Sequence, residues 1–147
     1  MLWYTHLAFG LLVSLFALDY FPLQNKIIFV PLVLFASLLP DIDHPRSKIG
    51  KKIKVIAFLF EHRGFFHSVF ALIIVSFPFF VLGYATIGWA FLLGYGSHLL
   101  IDTLSHQGIM YFHPVLRWRI RGVISTGGLL EKILFIVLLG IAAFLLF

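Results

Sequence analysis

Long apolar runs broken by short polar clusters dominate the chain. An α-helix needs about 20 mostly apolar residues to cross bilayer hydrocarbon. Five runs approach that length: Leu2–Leu18, Leu23–Leu39, Ser68–Leu82, Ile87–Leu104 and Leu129–Phe147. The second contains Pro31, a position for a kink, and the second and third are short enough to be tilted or partly re-entrant. The runs are continuous and do not alternate with a period of two, which argues against a transmembrane β-barrel. The first run lacks a basic leader and a small-residue cleavage site, so it reads as a retained helix. Between the second and third runs, Ile49, Ile53, Ile56 and Phe60 recur at helical spacing beside Lys51, Lys52 and Lys54. That pattern predicts a helix lying in the membrane interface over Ile49–Phe60; the alternative is an extension of the third helix with snorkelling lysines. The predicted fold is all-α: a polytopic membrane helical bundle of about five transmembrane helices plus an interfacial helix, with residues 1–147 forming a single domain.

Composition supports this class. The chain is 61% hydrophobic and 12% charged, with a mean hydropathy of +1.05, against roughly 45–50% and 25% in soluble domains. A soluble domain of 147 residues has too little interior to hide that much apolar side chain, and disorder is excluded on the same composition. With no cysteine, a disulfide framework, a thiolate zinc site and a cysteine nucleophile are all excluded. The net charge of +5 points to topology and anionic lipid, with no nucleic acid expected. Arg46, Lys48, Lys51, Lys52, Lys54 and Arg63 fall between the second and third runs. Arg117, Arg119, Arg121 and Lys132 fall between the fourth run and the start of the fifth, and only Lys26 lies elsewhere. In a five-helix serpentine both rich loops share one side, which the positive-inside rule assigns to the cytoplasm. The N-terminus is then cytoplasmic and the C-terminus outside, in a multi-pass protein of the cell membrane.

The few remaining polar residues are informative in kind. The acids are Asp19, Asp41, Asp43, Glu61, Asp102 and Glu131; the histidines are His6, His44, His62, His67, His98, His106 and His113. Apart from Asp19, all lie on or near the side of the basic loops. An aspartate at the centre of a span costs about 2.5–3.5 kcal/mol on insertion scales, so such groups need partners. A divalent cation bound by imidazole and carboxylate would neutralise them. His98 and Asp102 are four residues apart, on one helical face. Asp41 and Asp43 flank a helix end held by Pro40 and Pro45. His62 and His67 share a site only if the chain bends between them, and Gly64 permits the bend. A single intramembrane histidine is more often hydrogen-bonded to a neighbouring helix than bound to metal. The convergence of several on one side favours metal. Without thiolates, zinc on N/O ligands fits best, with manganese and iron open, and one or two ions expected.

These motifs resemble the YdjM-like family of membrane-bound, metal-dependent hydrolases of the inner membrane, whose hydrolase chemistry is inferred. The residues that carry the likeness are Thr5-His6, Leu39-Pro40-Asp41-Ile42-Asp43-His44-Pro45, His62-Arg63-Gly64-Phe65-Phe66-His67-Ser68 and Ser97-His98-Leu99-Leu100-Ile101-Asp102-Thr103-Leu104-Ser105, with Gly108 and Pro114. The order of ligands is also similar to that of the zinc-dependent phospholipase C and single-strand nuclease superfamily. That likeness implies His6, Asp41, His67 or His62, His98 and Asp102 as ligands, with Asp102 in a position to bridge two ions. The terminal tryptophan ligand and the second His-x-x-x-Glu pair of that superfamily have no counterpart here. His106, His113 and Glu131 are the residues left to replace the pair.

The function expected is that of an integral-membrane metal-dependent hydrolase acting on a phosphoester or lipid-like substrate. A metal-activated water supplies the nucleophile at the cytoplasmic side. Asp43 or Glu61 is the expected general base. Arg63 is expected to clamp an anionic oxygen, with headgroup anchoring as the competing role. Arg117-Trp118-Arg119-Ile120-Arg121 reads first as an interfacial belt. The expected partners are membrane lipids and an anionic lipid or phosphoester substrate; the sequence leaves the oligomeric state open. Two other classes compete: a small metal-ion or proton transporter, and a non-catalytic protein stapled by its metal.

Overall fold

A computed structural model of the chain describes residues 1–21, 23, 25–43 and 63–146. The predicted interfacial helix over Ile49–Phe60, and with it His44, Glu61 and His62, lies outside the described residues. Among those described, the fold is all-α. Helix α1 spans Trp3–Tyr20, α2 Lys26–Ala36, α3 Val69–Val81, α4 Ala85–Thr103 and α5 Leu129–Leu146, with short 3₁₀ turns at Leu39–Asp43 and Phe65–His67.

Helix α2 is shorter than the apolar run that predicts it. It starts at Asn25, whose side chain accepts from the Ile28 N–H at 3.3 Å, a standard N-cap. It ends at Ala36; Ser37 Oγ donates back to the Leu34 carbonyl at 2.8 Å. Pro40, without an N–H, sits in the 3₁₀ turn that follows. The last residues of the run therefore turn across the bundle end. Ser68 caps α3, accepting from the Ala71 N–H at 3.3 Å. At 1.5 Å per residue, α2 is about 16 Å long and α3 about 20 Å, each shorter than the roughly 30 Å hydrocarbon layer. Among the described residues only Leu129–Leu146 is long and apolar enough, by length and composition, to be a clear candidate for crossing a membrane. The run-by-run expectation of five spans is thus wider than these helices support individually.

Helix α4 is central and packs on α1, α2 and α3, while α1 also meets α2 and α5. Gly94 allows the close α2–α4 crossing: a Cβ there would stand 2.3 Å from the Val33 carbonyl oxygen. Three apolar clusters hold the contacts, centred on Leu12, Ile101 and Leu138, on Phe29 and Val33, and on Tyr95 and Leu99. The outer faces stay apolar, with Phe70, Ile74 and Phe77 of α3 and Leu129, Ile136 and Phe144 of α5 all exposed. Polar residues are instead gathered inside: His6, Asp43, His67, His98, Asp102 and Glu131 are all fully buried. Apolar outside and polar within is the arrangement a lipid environment favours.

The chain ends of α4 and α5 are joined by a strap. Ile109 and Ile120 exchange both backbone hydrogen bonds, at 3.0 and 2.9 Å, and Ser105 and Ile124 form a second bridge. Gly108 has φ +62°, and a Cβ there would lie 2.1 Å from the Ile120 carbonyl oxygen. Only glycine fits both demands.

Candidate metal centre

The start of α1, the turn after α2, the turn before α3, the end of α4 and the start of α5 meet at one end of the bundle. The start of α5 is tied there by Glu131. Its carboxylate accepts from the Leu2 N–H at 2.6 Å, the Thr5 hydroxyl at 3.0 Å and the Gly127 N–H at 2.5 Å. Glu131 thereby ties α1 to the start of α5, and it joins neither ligand group. Its buried charge is met by three donors, as such a charge requires.

Five of the sequence-designated ligands converge at this end. His67 Nε2 and His98 Nε2 are 3.3 Å apart. Asp41 Oδ1 lies 3.9 Å from His67 Nε2 and 3.8 Å from His98 Nε2. Asp102 Oδ2 lies 3.8 Å from each of the same two nitrogens. Ligand atoms about 2.0–2.2 Å from a tetrahedral ion stand about 3.3–3.6 Å apart; the separations among Asp41 Oδ1, His67 Nε2 and His98 Nε2, and those of Asp102 Oδ2 from the two nitrogens, lie at or just above that range. On the other side of Asp102, His6 Nε2 is 3.5 Å from Oδ1. The Met1 nitrogen also donates to Oδ1. Two overlapping ligand groups result, His6–His98–Asp102 and Asp41–His67–His98.

The far nitrogens of two histidines are fixed. His67 Nδ1 is 3.2 Å from Asp43 Oδ2, and His98 Nδ1 is 2.7 Å from the Ser37 carbonyl oxygen. Each Nδ1 then carries the proton and donates it, leaving the Nε2 lone pair for the centre. His6 differs: its ring stacks on His98 at 3.8 Å and 7°, and neither ring nitrogen makes a hydrogen bond. A buried imidazole with both nitrogens unsatisfied is costly, and a cation beside Nε2 would remove half of that deficit. Asp41 is the ligand candidate that keeps some exposure, 16% for its side chain against none for His67, His98 and Asp102. Its burial still pushes its carboxyl above the usual carboxylate range.

Two expected catalytic residues have different surroundings from those anticipated. Asp43, the expected base, is fully buried behind His67, and its Oδ2 also accepts from the Arg63 N–H at 3.1 Å. It therefore faces the outer edge of the ligand ring, where it can orient a histidine. Arg63, the expected substrate clamp, is buried with φ +61°. Its Nη2 lies 2.8 Å from Asp102 Oδ2, and its Nη1 donates to Ser105 Oγ at 2.8 Å and the Gly108 carbonyl at 2.9 Å. The guanidinium thus neutralises Asp102 and anchors the strap, and it is too enclosed for headgroup anchoring. Glu61 and His62 lie outside the described residues. His106 is exposed and His113 half-buried; neither joins a ligand group. Sequence reasoning missed the Ser37 carbonyl, because a backbone acceptor leaves no residue-type signal.

Comparison with known proteins places the whole described chain in one context. A match to the YdjM inner membrane protein family covers residues 1–146. The inner membrane protein YdjM of Escherichia coli K12 is 38% identical over 104 residues, 63% of this chain and 52% of that protein. Its Shigella flexneri counterpart gives the same values. The uncharacterized protein YvsG of Bacillus subtilis 168 is 33% identical over 119 residues, 71% of this chain and 72% of its own length. The aligned part of the chain spans about half the length of the E. coli and Shigella relatives. No solved structure matches the chain, and the likeness to the phospholipase C and nuclease superfamily rests on ligand order alone.

Proposed function

The chain belongs to the YdjM family of inner membrane proteins, and from that premise we propose that its buried His/Asp cluster is the divalent metal centre of a membrane-embedded hydrolase. The observation that carries this reading is the four-atom set Asp41 Oδ1, His67 Nε2, His98 Nε2 and Asp102 Oδ2, with both imidazoles oriented from behind. These four residues hold the first ion, zinc by the chemistry of the donors, with manganese and iron as other candidates. His6 and Asp102 Oδ1 offer a position for a second. When bound, the metal supplies Lewis acidity and an activated water at neutral pH.

The chain's own groups then have distinct tasks. Asp43 holds His67 in one tautomer, and the Ser37 carbonyl does the same for His98. Arg63 Nη2 lies against Asp102 Oδ2 and balances its charge. Asp41 marks the side from which water and substrate enter, since it retains exposure. Glu61 remains the sequence's candidate for the general base. The substrate class we favour is a phosphoester carried by an amphiphile. An apolar cleft of about 250 Å³, lined by Tyr4, Leu7, Leu11, Leu34, Phe135 and Leu139, runs beside α1 from the site end. Its size and lining suit an acyl chain.

The protein is multi-pass in this reading. Helices α1, α4 and α5 approach bilayer length, while α2 and α3 cross only part of it. The basic residues put the site end in the cytoplasm. Cysteine labelling of intact cells at position 50 tests the orientation, and labelling from outside would reverse it. For the activity, purified protein loaded with zinc or manganese is assayed on phospholipids, lipid phosphates and peptides. Metal-dependent release from a phosphoester lipid, lost in His98→Ala, supports the hydrolase. Full metal content with no turnover on any class supports a structural staple.

A further inference from the structure

The strap between α4 and α5 carries a surface that the metal centre does not use. Residues 104–128 contain Arg117, Arg119 and Arg121 and no carboxylate. Phe112, Val115, Leu116, Trp118 and Val123 are exposed among them, Trp118 by 71%. Exposed large apolar residues interleaved with arginine are costly in water, yet this backbone is fixed. Ile120 is bonded on both sides to Ile109, and the Gly122 N–H donates to the Ser105 carbonyl at 3.0 Å. Arg119 Nη1 donates to the Gln107 carbonyl at 3.2 Å. The stem of Arg121 covers Gly108, with Cγ 2.7 Å from where a Cβ would stand. The arginine-bearing end of the strap is therefore held against residues 105–109.

Position indicates what covers them. The strap ends where α5 begins, and among the described residues α5 is the helix long and apolar enough, by length and composition, to cross a membrane. Val123 is six residues before Leu129, so the strap lies at the depth where hydrocarbon gives way to headgroups. At that depth arginines meet lipid phosphates, and tryptophan has one apolar and one wet end. We propose that residues 112–123 form a docking surface for anionic phospholipid headgroups, with Arg117, Arg119 and Arg121 on the phosphates and Phe112, Val115, Leu116 and Trp118 seated in the upper acyl region. The surface adjoins the metal centre through Gly108, whose carbonyl receives Arg63. The proposal stands whether or not that centre is catalytic.

The test uses Trp118 as its own reporter. The full chain carrying Trp3→Phe and Trp89→Phe is placed in lipid nanodiscs of phosphatidylcholine with a minority of phosphatidylglycerol. Brominated acyl chains are put on one lipid or the other at equal mole fraction. Quenching of Trp118 should be about twofold stronger when the anionic lipid carries the bromine. The preference should vanish in Arg117→Gln/Arg119→Gln/Arg121→Gln and weaken at raised salt. Helical circular dichroism of each variant confirms folding, and the salt series on the unsubstituted arginines does not depend on the triple variant. Equal quenching by both lipids overturns the proposal, as does a preference that survives the triple substitution. Absence of quenching by either lipid also overturns it and assigns the surface to a soluble partner or a second copy.

Discussion

The histidines of the cluster divide into two sides that are built differently. His67 and His98 are braced from behind, by Asp43 and by the Ser37 carbonyl, at 3.2 and 2.7 Å. His6, a stacking distance of 3.8 Å from His98, makes no hydrogen bond at either nitrogen, and its Nε2 only approaches Asp102 Oδ1 at 3.5 Å. The braced side is pre-formed, so the fold itself aims its lone pairs. On the other side the fold supplies no hydrogen bond to either nitrogen of the buried His6 imidazole. Asp102 stands between them, with Oδ2 toward the braced pair and Oδ1 toward His6. If both sides take a cation, the braced side is expected to bind the tighter one.

The largest effect is expected at Asp102, because both sides depend on it. Asp102→Ala removes a ligand and leaves the Arg63 guanidinium buried without its carboxylate, which costs about 3–5 kcal/mol. Thermal unfolding in detergent and elemental analysis should show a destabilised, metal-poor protein. A fully stable Asp102→Ala protein would mean that Arg63 does not depend on Asp102 for its charge partner. His67→Ala should also empty the braced position, with a smaller loss of stability, since no buried charge of opposite sign rests on it alone.

Asp43→Asn probes the brace itself. The amide keeps the shape but can present its NH₂ to His67 Nδ1, favouring the wrong tautomer. Loss of an outer carboxylate partner lowers metal affinity by about 10–100-fold. Competition with a chromophoric chelator measures this. An unchanged affinity would return Asp43 to the role of general base, which the sequence first assigned to it.

His6→Ala sharpens the comparison from the other side. If the protein binds two ions, this variant should keep the tight one and lose the weak one in a chelator titration. Its stability should change by less than the about 2 kcal/mol typical of large buried deletions, because an unsatisfied polar ring is removed with the packing. Loss of both ions together would merge the two sides into one site. Arg63→Lys is the mildest change expected. The charge beside Asp102 stays, while the donors to Ser105 and Gly108 are lost, costing about 1–2 kcal/mol through the strap.

Much of this site was legible in the sequence. His98 and Asp102 are readable together because helix periodicity fixes their common face, and Pro40 marks the turn that delivers Asp41. The assignments of Asp43 and Arg63 were not readable in the same way. Which side of His67 a carboxylate occupies depends on how the turn at Leu39–Asp43 meets the turn at Phe65–His67, and no local pattern encodes that meeting. The run Leu23–Leu39 reads as one helix because apolar residues dominate it from Ile27 onward. Its last turn left the helix at Ser37, where hydroxyl and proline chemistry overrode hydropathy. Glu131 looked like a spare ligand because a buried carboxylate near histidines has that appearance until its three donors are located.

In the proposed centre, His67 and His98 hold a divalent ion together with the neighbouring aspartates. Elemental analysis of the purified chain, as isolated and after loading with zinc, manganese or iron, tests it most directly, with His98→Ala measured alongside. The parent protein should carry a stoichiometric ion, and His98→Ala should lose it with helical content unchanged. A parent protein that takes up none of these metals, or a His98→Ala protein that retains its full complement, would contradict it.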